Sequence, residues 1–89
     1  MSFAVKFDTE AWNDYLDWQN QDKKTLRKIN SLIKDAAATP GSGLGKPEPL
    51  KNDLAGCWSR RINEKDRLVY RINDDMLEIL QCKGHYGDR

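Results

Sequence analysis

A carboxylate sits between two prolines in Gly45-Lys46-Pro47-Glu48-Pro49-Leu50-Lys51, with a lysine on either side. Each proline fixes its own φ and drives the residue before it toward extended geometry, so Glu48 is restrained twice. Two readings fit these seven residues. One is a stiff surface connector whose charges are merely solvated. The other is a carboxylate aimed at an anionic target. Further along lie Trp58-Ser59-Arg60-Arg61, Arg67-Leu68-Val69-Tyr70 and His85-Tyr86. A carboxylate, arginines, one histidine and a phenol are the parts of a metal-free site for cleaving a ribose phosphodiester. A base takes the proton of the 2′-OH, cations hold the charge that builds on the phosphorus oxygens, and an acid protonates the leaving oxygen. No metal or cofactor is called for, because the nucleophile belongs to the substrate.

Glu48 is the candidate base. A free glutamate, with a pKa of about 4.3, is a weak base at neutral pH, so the role requires loss of water around it. Arg61 and Arg67 are candidate phosphate clamps, since a guanidinium meets phosphate with two parallel donors and an ammonium does not. Arg60 and Arg61 must point to opposite faces of a regular strand, so only one of them reaches such a site. His85 is the only histidine in the chain. Imidazole is the side chain best suited to giving and taking a proton near neutral pH. Tyr86 can stack on a base or hydrogen-bond a phosphate. Which of the two protonates the leaving oxygen stays open.

Several elements must position these groups. Phe3 to Phe7 reads as a strand. Asp8 is placed to cap a helix in which Trp12, Tyr15 and Leu16 form the buried face, with Trp18 off that stripe and available to a partner. Asp22 can cap a second helix with the stripe Leu26, Ile29, Leu32, Ile33 and Ala36. Thr39-Pro40-Gly41-Ser42-Gly43 then ends it and opens a flexible connector. Cys57 to Asn63, Arg67 to Ile72 and Met76 to Lys83 read as three strands joined by the polar turns Glu64-Lys65-Asp66 and Asn73-Asp74-Asp75. Leu68, Tyr70 and Ile72 share one face of the middle strand. Arg67, Val69 and Arg71 share the other. The predicted fold is α+β, with two N-terminal helices packed on a small antiparallel sheet.

The 89 residues suit a single domain, 1–89. No apolar run reaches membrane-spanning length and no signal-peptide pattern opens the chain, so the expected place is the cytoplasm. Cys57 and Cys82, far apart and with one histidine for company, argue against zinc; reduced thiols are expected. Net charge is only +1. Residues 46–71, however, hold seven Lys or Arg against four Asp or Glu, whereas the chain from Ile72 onward holds two against four. The positive charge therefore lies on the segment with the motifs, which suits local phosphate recognition more than tight unaided binding of free nucleic acid.

The motifs from Gly45 to Lys51, Gly56 to Ile62 and Arg67 to Tyr70, with His85-Tyr86, resemble the YoeB/Txe family of bacterial toxins. The likeness extends to Trp12, Tyr15, Leu16 and Trp18, and to residues 28–35. It covers nearly the whole chain with order and spacing kept. The resemblance implies a RelE-like, microbial-RNase-like fold and an endoribonuclease that cuts messenger RNA on the ribosome. It implies Glu48, Arg67, His85 and Tyr86 as catalytic residues, with Lys46, Lys51 and Arg61 binding phosphate. It favours Arg61 over Arg60 for the site and leaves Arg60 either structural or a ribosomal RNA contact. Its implied partners are a YefM-type antitoxin and the ribosomal A site with its 16S rRNA. Operator DNA is contacted only through the antitoxin, and a homodimer is possible. Two rivals differ in kind: a ribosome blocker that does not cut, and a transcriptional corepressor acting with its antitoxin. Family chains end at or near the tyrosine, whereas Gly87-Asp88-Arg89 follow here.

Overall fold

The stripe Leu26, Ile29, Leu32, Ile33 and Ala36 recurs at helical spacing, and in a computed structural model describing residues 2–85 it forms the inner face of helix α2, Lys23–Ala38. Asp22 caps that helix as expected: its carboxylate accepts from the backbone N–H groups of Lys24 and Thr25 and from the Thr25 hydroxyl. Those bonds hold its pKa below the usual aspartate value. Helix α1, Thr9–Gln21, precedes it. The strands are β1 Ala4–Phe7, β2 Glu48–Pro49, β3 Trp58–Arg61, β4 Arg67–Asn73 and β5 Met76–Gln81. Their order in the sheet is β1-β5-β4-β3-β2.

The α+β class stands, but the sheet is mixed rather than wholly antiparallel. β1 runs parallel to β5, with Val5 opposite Leu77 and Phe7 opposite Ile79. A parallel neighbour needs a crossover instead of a hairpin, so no turn residues announce it. Both helices cover one face, where Ile29, Leu32 and Ala36 meet Leu68, Tyr70, Leu77 and Ile79. The helix-free face keeps a smaller apolar cluster of Leu50, Cys57 and Val69. Cys57 and Cys82 are separate buried thiols. Burial pushes the Cys57 thiol upward in pKa.

Helix α1 buries a different face from the one expected. Trp12 and Leu16 are 45% and 39% exposed, whereas Ala11, Asp14 and Trp18 are buried. Trp18, expected off the stripe, donates its indole N–H to the Cys82 carbonyl at 2.8 Å. Asp14 accepts the backbone N–H of Cys82 at 3.3 Å. Thus α1 grips the chain just past β5 through the Trp18 indole N–H and the Asp14 carboxylate. Asp8 precedes the helix in extended geometry but makes no side-chain cap bond. Tyr15 packs at the margin of the core, as Trp12 and Phe7 gather around it.

Candidate active site

Strand alternation sorts the arginines. Cross-strand partners share a face, and residues two apart on one strand do too. Glu48 lies opposite Ser59, Ser59 opposite Val69, and Arg61 opposite Arg67. Glu48, Ser59, Arg61, Arg67 and Val69 therefore line the helix-free face. A bulge adds Gln81 to this face: Tyr70 pairs with Ile79 and Val69 with Gln81, leaving Leu80 as an extra residue.

Arg60 points the other way and is fully buried. It ion-pairs with Asp35, and its guanidinium donates to the carbonyls of Thr39, Ser42 and Leu44 and to the Tyr70 hydroxyl. The Tyr70 hydroxyl in turn donates a hydrogen bond to the Pro40 carbonyl. The segment expected as a flexible connector is instead wrapped around one guanidinium. Arg60 leaves the Asp35 carboxyl below the usual aspartate range, and the Leu44 N–H assists. This settles Arg60 as a structural residue with no free face for RNA. Trp58 is half-buried against the core, with Gly41 lying over its ring.

The Glu48 strand reaches β3 through a tight approach. The Gly45 carbonyl accepts the Arg61 N–H at 2.7 Å, and Gly45 has φ +78°. A Cβ there would stand 2.8 Å from Leu32 Cδ2 and 3.2 Å from the Arg61 carbonyl oxygen, so only glycine fits. Glu48 is exposed, with Lys46 toward the Arg61 end and Lys51 toward the other. Glu48 and Lys51 share a shallow cleft of about 310 Å³. Lys46 and Arg61 line a second, of about 390 Å³.

Arg67 is half-buried, and its guanidinium is fixed by the carbonyls of Asn63 at 2.6 Å and Asp66 at 3.1 Å. His85 is brought to this end by a two-bond latch. The Arg67 N–H donates to the Gly84 carbonyl at 2.8 Å, and the Gly84 N–H donates to the Asp66 carboxylate at 2.7 Å. Asp66 is buried, and its second oxygen accepts from the Asn63 side chain. Asp66 and Asn63 were missed as positioning residues. Their only trace in the sequence is Asn-x-x-Asp across a polar turn, a common turn pattern. Tyr86, and Gly87-Asp88-Arg89 after it, lie outside the described residues.

The site thus assembles Glu48, Arg61 and Arg67 on one sheet face. Lys46 and Lys51 stand at its rim, and His85 is delivered beside Arg67. Among the described residues, neither Arg61 nor Arg67 has a carboxylate partner. Two cations placed directly opposite each other across a strand pair destabilise a sheet unless something anionic comes between them. The arrangement is equipped to bind a phosphodiester next to a carboxylate.

A helical hairpin on one sheet face and a cationic, helix-free opposite face define an α+β protein of the RelE-like toxin class. The YoeB/ParE toxin from Agrobacterium tumefaciens shares the fold with a TM-score of 0.91 at 48% identity, over 93% of this chain and 99% of that one. The chain belongs to the family described as "YoeB-like toxin of bacterial type II toxin-antitoxin system", whose profile matches residues 7–86. Toxin YoeB of Escherichia coli is 58% identical over 77 residues, spanning 86% of this chain and 92% of that protein. A chain of the YoeB-YefM complex from Staphylococcus aureus matches with a TM-score of 0.85 at 41% identity, across 97% of this chain and 100% of that one. Among the described residues no helix is long and apolar enough to cross a membrane.

Proposed function

We propose that this toxin is a metal-independent endoribonuclease that cuts messenger RNA in the ribosomal A site. The supporting observation is the Arg61–Arg67 pair, without a carboxylate partner among the described residues, on the face that carries Glu48. Glu48 takes the 2′-OH proton, and the 2′-oxygen attacks the adjacent phosphorus. Arg61 and Arg67 hold the charge on the non-bridging oxygens, helped by Lys46 and Lys51. The bond from phosphorus to the 5′-oxygen breaks, and His85 or Tyr86 protonates that oxygen. The products are a 2′,3′-cyclic phosphate or its hydrolysed 3′-phosphate, and a 5′-hydroxyl. Because Glu48 is exposed, only a covering ligand can strip its water. That favours action within a larger RNA assembly such as 16S rRNA at the A site, and it keeps the free toxin slow.

A YefM-type antitoxin is the expected restraint, since the S. aureus relative is seen in a YoeB-YefM complex. An acidic, disordered segment that folds over the cationic face would cover the site. Contact with operator DNA, and any corepression, would run through that antitoxin. A homodimer is proposed by analogy with the YoeB dimer from S. aureus.

The decisive experiment replaces Glu48 by Gln and maps RNA ends in a translation reaction. Loss of cleavage by about 10²- to 10⁴-fold, with unchanged melting, is expected. Cleavage at the parent rate would remove Glu48 as the base. Stalling without new RNA ends in the parent reaction would favour the non-cutting ribosome blocker.

A further inference from the structure

The cleft beside Lys46 and Arg61 has a third cation that comes from the helical layer. Lys28, on α2, reaches it together with Gly45, Ile62, Asn63 and Glu64. Three cations thus face one carboxylate, Glu64. Lys28, Lys46 and Arg61 are all exposed, and among the described residues none of them makes an ion pair. Lys24, Arg27 and Lys34 also lie on α2, but outside this lining. Lys28 is therefore singled out by position, not by membership of a basic helix.

The backbone supports the same point. Lys46 has φ +53° and follows Gly45 at +78°. Two consecutive left-handed residues fold the chain sharply against Leu32 and β3. For a lysine, which carries a Cβ, this conformation is strained. Backbone strain of this kind is tolerated where it places a functional group. Here it places Lys46 in the lining of the cleft, together with Lys28 and Arg61. The cleft opens where the helix-free face ends and the helical layer begins. A strand lying over Glu48 and Arg61 would continue into it.

We propose that Lys28 extends the site into this cleft and binds a backbone phosphate of RNA outside the cleaved bond, next to the phosphate that Lys46 and Arg61 help to hold at the cut. It rests on the ribonuclease reading and extends that site around the edge of the sheet. The ligand chemistry is a phosphodiester. Its source is either the message flanking the cut or ribosomal RNA.

Lys28→Ala, Lys28→Glu and Lys28→Arg separate the outcomes. Lys28 is exposed, so all three variants should melt like the parent. Two probes are used: a short single-stranded RNA with 2′-O-methyl groups throughout, and salt-washed small ribosomal subunits. The methylated strand cannot be cut by 2′-OH attack, so its binding is independent of the assignment of Glu48. Loss of one phosphate contact should weaken binding about fivefold for alanine, more for glutamate and little for arginine. It should also lower the slope of log affinity against log salt by about 0.7. Losses on the methylated strand identify the message as the source, and losses on the subunits alone identify ribosomal RNA. In cleavage, Lys28→Ala should raise KM and spare kcat, whereas Glu48→Gln lowers kcat. Unchanged affinity and salt slope on both probes, for alanine and glutamate alike, would overturn the site. Unchanged RNA binding combined with lost binding of polyglutamate would assign the cleft to an acidic peptide instead. Either result would leave the nuclease reading intact.

Discussion

Arg60 and Arg61 are adjacent on β3 and chemically identical, yet the two faces of the sheet use them in opposite ways. On the helical side, Arg60 is sealed from water and spends its donors on Asp35, Tyr70 and three loop carbonyls. On the other side, Arg61 is exposed, faces a second arginine, and has no ion pair among the described residues. A buried guanidinium is tolerable only when fully satisfied. Two like charges facing each other with no carboxylate between them are unfavourable for the sheet alone, and an anionic ligand would relieve that. The contrast separates residues that maintain the fold from residues whose partner is a ligand. It predicts that stability and activity can be lost independently.

The largest structural effect should follow from Arg60→Ala. It leaves Asp35 without its cation and orphans carbonyls in the 39–44 loop, whose Leu44 N–H still bonds Asp35. The thermal midpoint should fall by more than about 10 °C. Arg61→Ala should leave melting within about 2 °C and lower cleavage instead. If both variants melt alike, the division between the faces does not hold. Arg60→Lys should rescue little, because an ammonium cannot replace a planar fork among five acceptors.

Arg67 sharpens the comparison, because it belongs to both worlds: its N–H and guanidinium bind protein carbonyls, yet it lies on the site face. Arg67→Lys should therefore lose most activity while keeping the backbone bond to Gly84. Asp66→Ala should release the other half of the latch. The expected result is a roughly tenfold or larger loss of cleavage through misplacement of His85. Asp66→Asn, which keeps an acceptor for the Gly84 N–H, should recover part of it. An NMR signal of His85 that does not move in Asp66→Ala would show that the latch does not set the histidine.

The two faces also differed in how well the sequence disclosed them. Alternation in Arg67 to Ile72 sorted Leu68 and Tyr70 from Arg67 and Val69 because a strand has only two sides. The α2 stripe was equally plain, since five apolar residues recur at one spacing. Helix α1 was misread because its buried face contains Ala11 and Asp14, one small and one charged, while the large apolar Trp12 and Leu16 remain partly outside. Ala11, Tyr15 and Trp18 recur at helical spacing against the core, and hydrogen bonds to Cys82 hold the same face in place. The β1–β5 pairing and the Leu80 bulge depend on contacts some 70 residues apart and on one skipped residue; neither leaves a local pattern. At the site, Glu48 was conspicuous through its prolines. Lys28 was hidden among helix lysines until the fold carried it to Lys46 and Arg61.

The smallest effect concerns Tyr70, and it tests the sealed face by pH. Burial raises the Tyr70 phenol above its ordinary value of 10.0, although Arg60 opposes this. A raised acid favours the protonated form in the folded state. Its contribution is complete below pH 10 and fades as pH climbs through the folded value. Asp35 titrates in the opposite sense: its pKa is depressed from 3.8, so its contribution is present above that value and is lost as acid protonates it. Tyr70→Phe should lower stability by about 1–2 kcal/mol at neutral pH, since the Pro40 carbonyl and the Arg60 Nε lose a partner. It should also flatten the alkaline fall in the melting profile and leave the acid fall unchanged. Arg60→Ala should instead shrink the acid fall, because Asp35 then loses the largest cause of its depression and keeps only the Leu44 N–H. An alkaline limb that persists in Tyr70→Phe would place the relevant titration outside the Arg60 cluster.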